Sequence, residues 1–385
     1  MSGVRVVIVG GDLGYLVRFR GHLLRAMVAA GHEVVVATPD PEPPLQTDLE
    51  RMGVSYRQIS LSRTGMNPWR DFGDRAALAS WFRRLAPDAV FAYGPKPITI
   101  AITAAIQAGV PRRYAMLAGL GYAFIPDMKN LPMRLLARAL QLLLYRWVFA
   151  SCRRVIFHNR DDRAALVRMS VVAVERTTVV AGSGIDLDEF SSSEVPTSPV
   201  RFLYVGRLLR SKGVEELVRA ARLLRAELPT AEVHLVGAFD QNPDGADATL
   251  LDEAEARGDV IRHGQLVDVR AQLRACSAFV LPSYREGLPR SALEALASGR
   301  TAIVTDVPGC REVVRAGRHG ALVPLRDVHA LAATLIEYAR DPERLVREGV
   351  EARRTAESEF DVRIVTQEMM SALELDGATS ATSAG

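Results

Sequence analysis

Ala278-Phe-Val-Leu281-Pro-Ser-Tyr-Arg-Glu286-Gly-Leu-Pro289-Arg-Ser-Ala-Leu-Glu294-Ala-Leu-Ala-Ser-Gly299-Arg-Thr301-Ala-Ile-Val-Thr-Asp306 decides the fold. An apolar run, Ala278–Leu281, reads as the end of a buried strand, and Thr301–Asp306 reads as the next strand. Between them Pro289 suits the first position of a helix, and Gly299 stands where its stop falls. The spacing therefore predicts strand, loop, helix, strand: one turn of a parallel α/β sheet. It puts Glu286 on the loop at the helix N-terminus and Glu294 inside the helix. Free backbone N–H groups at the C-terminal end of a parallel strand are where such sheets take anionic ligands. A carboxylate beside them implies a nucleotide-linked ligand with hydroxyls to bind.

The same rhythm runs outward from this stretch in both directions. Towards the N-terminus lie strand Arg201–Val205, Gly206, a helix over 213–226 and strand Glu232–Val236. A strand over 259–263 and a helix over 268–274 follow. The first half opens with strand Val4–Val9, a Gly10-Gly11-Asp12-Leu13-Gly14 loop, a helix over 16–30 closed by Gly31, and strand Glu33–Thr38. Further strands are expected at Val54–Ile59, Ala89–Tyr93, Arg113–Leu117 and Arg154–His158. Ser191–Pro199 is turn-rich and weakly apolar, so the domain boundary is expected there. The prediction is an α/β protein of two Rossmann-like, doubly wound domains facing a cleft, over 1–190 and 191–373. The last helix is expected to pack back on the first domain, and 374–385 reads as a disordered tail rich in Ala, Thr, Ser and Gly.

With 385 residues the chain is long enough for two cores. Its net charge of +3 hides an asymmetry: residues 1–190 carry 24 Lys/Arg against 16 Asp/Glu, and the remainder 24 against 29. A basic first half is suited to an anionic partner, either lipid or a phosphate-bearing acceptor. Three cysteines far apart argue against a disulfide framework, and a reducing compartment is expected. Met1–Gly10 starts a strand and lacks the basic and apolar regions of a signal peptide. No stretch reaches the roughly 18–20 apolar residues of a spanning helix. Nor do the seven histidines show metal-ligand spacing, so no metal is expected.

Each candidate site has a bland alternative. Gly206-Arg-Leu-Leu-Arg-Ser-Lys212-Gly213 follows a strand and opens a helix. Arg207 and Lys212 there can clamp a diphosphate, one as a bidentate fork and the other as a mobile point charge; alone, the loop is equally a solvated basic turn. Glu286 and Glu294 alone are ordinary helix acids. In their setting, Glu286 suits sugar hydroxyls, the N–H groups of Gly287 and Leu288 face phosphate, and Glu294 accepts from ribose hydroxyls. The Gly10–Gly14 loop departs from G-x-G-x-x-G because Asp12 is not glycine. It is an empty turn or a close backbone approach, through Gly14, to the donor's distal phosphate or sugar. Residues 128–150 mix long apolar side chains with Lys129, Arg134, Arg138 and Arg146. They read either as a basic helix lying on anionic lipid or as a core helix with a charged outer face.

Gly206-Arg207 with Lys212-Gly213, Ser183-Gly-Ile-Asp-Leu-Asp-Glu-Phe190, Glu286-Gly-Leu-Pro289 and Glu294 together resemble the retaining nucleotide-sugar glycosyltransferases of family 4, of GT-B fold, from Val4 to about Leu373. The resemblance implies that Arg207 and Lys212 hold the donor diphosphate, Glu286 the donor sugar and Glu294 the ribose. Backbone near Leu266 would meet the base, and Gly287, Leu288 and Pro289 would complete the donor site. Phe19-Arg20, Met66-Asn67-Pro68-Trp69, Gly119-Leu-Gly-Tyr122 and Val236–Pro243 are similar to a narrower bacterial group. That group acts on undecaprenyl-diphosphate-linked sugars in protein N-glycosylation and surface-polysaccharide assembly. It implies a UDP-sugar donor, a lipid-linked sugar acceptor, no cofactor and no nucleic-acid partner. Acceptor contacts would come from Arg20, Asn67, Lys96, Gly119 and Tyr122, with Lys96 on the acceptor diphosphate. The catalytic set would be Glu286, Arg207 and Lys212, acting by front-face transfer with retention. The expected location is cytoplasmic, peripheral on the inner face of the membrane. A transferase with a soluble acceptor, a UDP-sugar epimerase and a non-catalytic nucleotide-sugar or membrane-docking module are the rival readings.

Overall fold

A computed structural model describes residues 3–61, 68–120, 124, 131–240 and 242–376. The chain forms two compact units, Met1–Ser183 with Arg363–Gly385, and Gly184–Val362. The first runs β1 (Arg5–Val9), α1 (Leu13–Ala29), β2 (Glu33–Thr38), α2 (Pro43–Arg51), β3 (Ser55–Gln58), α3 (Pro68–Leu85) and β4 (Ala89–Tyr93). It continues with α4 (Pro95–Ala108), β5 (Arg112–Leu117), α5 (Leu131–Ala150), β6 (Arg154–Phe157), α6 (Arg160–Arg168) and β7 (Thr177–Val179). Its strands form one parallel sheet in the order β3-β2-β1-β4-β5-β6-β7. The order reverses between β1 and β4, where a doubly wound sheet opens its crevice.

The continuous apolar run of β1 is the signature of a strand covered on both faces. Val7 and Val9 join Ile98, Ala101, Phe149 and Phe157 in one buried cluster. Val6 and Ile8, one residue out of phase, join Leu16, Leu24 and Met27 in another. That second cluster also takes in Val365, Met369, Leu373 and Leu375 from the far end of the chain. The expected disordered tail is therefore corrected at its start. Leu375 is buried, and its carbonyl meets His32 Nε2 at 2.9 Å. Residues 377–385 lie outside the described residues.

The second unit runs β8 (Arg201–Val205), α7 (Val214–Glu227), β9 (Glu232–Val236), α8 (Ala248–Arg257), β10 (Ile261–Arg262), α9 (Arg270–Ala275), β11 (Ala278–Leu281) and α10 (Arg290–Ala297). After these come β12 (Thr301–Thr305), α11 (Cys310–Val313), β13 (Gly320–Val323), α12 (Val328–Arg340) and α13 (Pro342–Thr355); α14 (Val362–Ala372) starts at the last residue of this unit and otherwise belongs to the first. The parallel sheet order is β10-β9-β8-β11-β12-β13, so the reversal falls between β8 and β11.

Ser191–Pro199 is irregular, as its composition predicts, but it lies inside the second unit and the division falls at Ser183/Gly184. Arg300, fully buried, explains the difference. Its Nη1 donates to Ser193 O at 2.8 Å, and its Nη2 donates to Ser193 Oγ at 2.7 Å and to Glu194 O at 3.0 Å. Nε donates to Leu273 O at 2.9 Å. A guanidinium survives burial only with its donors occupied, and here two of the carbonyls and a hydroxyl that it meets come from this segment. The compact units also part at Val362/Arg363, within α14.

Candidate functional site

The loops after β8 and β11 stand side by side at the reversal of the second sheet. The first begins at Gly206, where an added Cβ would come 3.0 Å from Tyr204 Oη. That hydroxyl donates to Arg207 O at 2.7 Å. The chain then makes a 3-10 turn over Arg210–Lys212 and reaches Gly213 at φ 70°. A Cβ on Gly213 would sit 2.0 Å from Pro282 O of the neighbouring loop. Tyr284 N donates to Ser211 O at 2.8 Å. On the other side of the β11 loop, Gly309 has φ 82°, and a Cβ there would lie 2.5 Å from Glu286 O. The Glu286 loop is thus held between two glycines whose conformation and lack of a side chain admit it.

This packing brings Lys212 Nζ to 2.6 Å from Glu286 Oε1, and Ser283 Oγ donates to the same oxygen at 2.6 Å. The ammonium side chain is 27% exposed and the carboxylate 11%, so the pair is sheltered yet open on one side. Burial and then the Glu286 charge push the Tyr204 hydroxyl well above its ordinary range. Arg207 pairs with Asp240, after β9, at 3.3 Å, and is 64% exposed. Leu208 N donates to Ala238 O at 2.9 Å, and Gly237 N to Gly264 O at 2.8 Å. The loops after β8, β9 and β10 are in this way joined into one rim, on which half-buried Leu266 also lies. Gly287, Leu288 and Pro289 complete the β11 loop.

Pro289 proves to be the N-cap of α10, with Arg290 the first helical residue. Glu294 lies one turn in, where Arg290 Nε donates to its Oε1 at 3.0 Å and Arg290 Nη1 to Gly184 O at 3.2 Å. Burial raises the Glu294 carboxyl to about 7, against the pull of Arg290. Sequence reading passed over Arg290, although an i,i+4 pairing with Glu294 was legible. It also passed over Ser283 and Asp240, which carried no local signal.

In the first unit, Gly14 is inside α1 and buried, not in the preceding loop. The helix starts at Leu13 because the Asp12 side chain caps it, accepting from Tyr15 N at 2.6 Å. Lys96, in the first turn of α4, stands 2.9 Å from Asp71 of α3. Gly119 follows β5 with φ 152°. Arg20 is buried: its Nη1 donates to Gly182 O at 2.7 Å, and its Nη2 meets His158 Nε2 at 3.1 Å. Burial first, and then Arg20, hold His158 down to about 3, so its ring is neutral near pH 7. Arg20 thus ties α1 to the segments after β6 and β7. Asn67 and Tyr122 lie outside the described residues. Among the described residues no three His, Cys, Asp or Glu side chains converge as metal ligands, and no helix is long and apolar enough to cross a membrane.

Residues 16–182 match the glycosyl transferase 4-like domain, and residues 199–341 match the glycosyl transferases group 1. The chain is 29% identical over 310 residues to the N,N'-diacetylbacillosaminyl-diphospho-undecaprenol alpha-1,3-N-acetylgalactosaminyltransferase of Campylobacter jejuni, covering 77% of this chain and 79% of that protein. It is 28% identical to the putative glycosyltransferase EpsD of Bacillus subtilis, over 50% of this chain and 53% of the relative. Among solved structures, sucrose-phosphate synthase from Thermosynechococcus elongatus aligns with TM-score 0.77 at 20% identity, covering 96% of this chain and 98% of that one. Anabaena Alr3699/HepE in complex with UDP aligns with TM-score 0.76 at 16% identity, covering 96% and 99%. These likenesses bear out the two-domain α/β fold expected from the sequence, and with both halves matched, the chain belongs to the group 1, 4-like glycosyltransferases of GT-B fold.

Proposed function

We propose that the protein is a retaining transferase that moves a hexosyl or HexNAc group from a UDP-sugar to a sugar carried on a polyprenyl diphosphate. The observation that carries the reading is the Lys212–Glu286–Ser283 cluster at the sheet reversal of the second unit. The relative from Campylobacter jejuni, whose name specifies an undecaprenyl-diphosphate-linked acceptor, supports the acceptor class. In the step, the bond from the anomeric carbon to the donor's β-phosphate oxygen breaks. A bond to the acceptor hydroxyl oxygen forms on the same face, and the hydroxyl proton passes to the leaving phosphate. Lys212 and Arg207 stabilise the charge that grows on that phosphate. Glu286, fixed by Ser283 and Lys212, receives hydrogen bonds from donor-sugar hydroxyls and is not used as a nucleophile. Glu294 receives the ribose hydroxyls, Leu266 lies by the base, and Lys96 holds the acceptor diphosphate. No metal or other cofactor enters this scheme. The reaction is placed at the cytoplasmic face of the membrane, a location supported by the basic first half.

The test is UDP release from a panel of UDP-sugars, with and without a polyprenyl-diphosphate sugar, with NMR of the product's anomeric configuration. Release should require the lipid-linked acceptor, and the linkage should be retained. Equal release with a soluble sugar acceptor, interconversion of a UDP-HexNAc with no acceptor, or inversion would each overturn the corresponding part.

A further inference from the structure

Helix α5 covers the core with one side and leaves the other bare. Tyr145, Val148 and Phe149 are buried, while Leu136, Leu140, Leu143 and Trp147 are between 52% and 72% exposed. Their spacing of four, three and four residues sets them in one stripe, roughly 16 Å long at 1.5 Å per residue. Leu144, 40% exposed, widens it. An exposed apolar face of this extent marks an interaction surface. The charge around it says which kind. Residues 128–150 contain no Asp or Glu and four Lys/Arg. Arg146 is exposed beside Trp147, and Arg176 donates from Nη1 to Cys152 O at 3.1 Å just beyond the helix. A second copy of the chain docked face to face would set these cations against their own counterparts. An anionic bilayer satisfies the apolar stripe and the cations together, with an indole at the headgroup level.

We infer that the exposed face of α5 is a membrane-docking surface whose partner is an anionic lipid bilayer. Helix α5 lies in the chain between the parallel strands β5 and β6, so its N-terminus is at the C-terminal edge of the sheet, where Gly119 lies. A bilayer held on α5 thus presents lipid-borne diphosphates next to that edge. The inference rests on the lipid-linked acceptor proposed above and gives it a physical route.

The experiment is sedimentation of the full chain with vesicles of phosphatidylcholine containing phosphatidylglycerol, and of phosphatidylcholine alone. The wild type should bind the anionic vesicles, and brominated lipid should quench a signal that Trp147→Phe removes. Leu140→Glu with Leu143→Glu should weaken the partition about tenfold or more, since two apolar side chains are lost from the lipid. UDP binding and thermal unfolding should stay unchanged. Leu140→Gln with Leu143→Gln repeats the test without added charge, should the acidic pair impair folding. Wild-type and variant partition that agree would overturn the inference. So would a dimer in sedimentation velocity that the variants dissociate. Vesicle binding without transfer to a detergent-solubilised polyprenyl-diphosphate sugar keeps the surface and removes the proposed acceptor. Transfer without vesicle binding does the reverse.

Discussion

At the residue scale, Glu286 Oε1 takes hydrogen bonds from both Lys212 and Ser283, so the carboxylate is oriented before any ligand arrives. Removing Lys212 leaves Ser283 to hold it and, in the proposed scheme, takes a cation away from the leaving phosphate. Lys212→Ala is expected to lower kcat by roughly 10²–10³-fold, in the range of a lost preorganised donor, with a smaller change in KM. Glu286→Ala at saturating donor should fall at least as far; full transfer by that variant would remove its assignment. Glu294 supplies a pH signature. Its folded-state pKa, raised by burial to about 7, means this carboxyl favours folding below about pH 4.5 and loses that contribution as pH rises through 7. Ribose hydroxyls that donate to the ionised form should draw its pKa down. UDP affinity measured by calorimetry is therefore expected to weaken below pH 7, by up to about tenfold per unit, and Glu294→Gln should flatten the profile.

At the element scale, the two glycines that flank the β11 loop are its determinants. Gly309→Ala would place a methyl 2.5 Å from Glu286 O in a left-handed conformation, with about 1–3 kcal/mol of strain expected. Thermal unfolding should show that loss, and donor affinity should fall with it, because the same carbonyl belongs to Glu286. Gly317→Ala is the control: it has φ 75° but nothing within 4 Å, so it should cost stability alone. Most strands and the helix stop at Gly299 were legible because apolar period and turn residues are local signals; the short edge strands β7 and β13 were not, since three or four residues give too little period to read. The start of α1 at Leu13 was legible too, through the Asp12 cap, and the loop reading of Gly14 missed it. That α5 is buried along one side only was not legible: its long apolar side chains run around the whole helix, and the sequence leaves core and interfacial readings level.

At the scale of the whole molecule, the last helix belongs to the first unit. Val365, Met369, Leu373 and Leu375 are each at most 2% exposed, and each contributes about 1.5–3 kcal/mol by burial. Their sum is comparable with the ~5–15 kcal/mol stability of a typical domain. Ending the chain at Val362 should abolish the unfolding transition of the first unit in calorimetry and preserve that of the second. A truncated chain that keeps both transitions within a few degrees would contradict this packing.

By itself the sequence determined the two α/β halves, the run of their strands along the chain apart from the edge strands β7 and β13, and the loops that carry Arg207, Lys212 and Glu286. Each of those readings rests on neighbours within a dozen residues, where periodicity, capping and turn chemistry act. The tertiary structure alone decided which groups meet. Lys212 finds Glu286 across 74 residues of chain because the sheet order sets β8 beside β11. Lys96 finds Asp71, Arg20 finds His158, and Arg300 takes Ser191–Pro199 into the second unit for the same kind of reason. Side-chain pairing follows from which strands and helices become neighbours, and that adjacency is fixed by packing the whole chain.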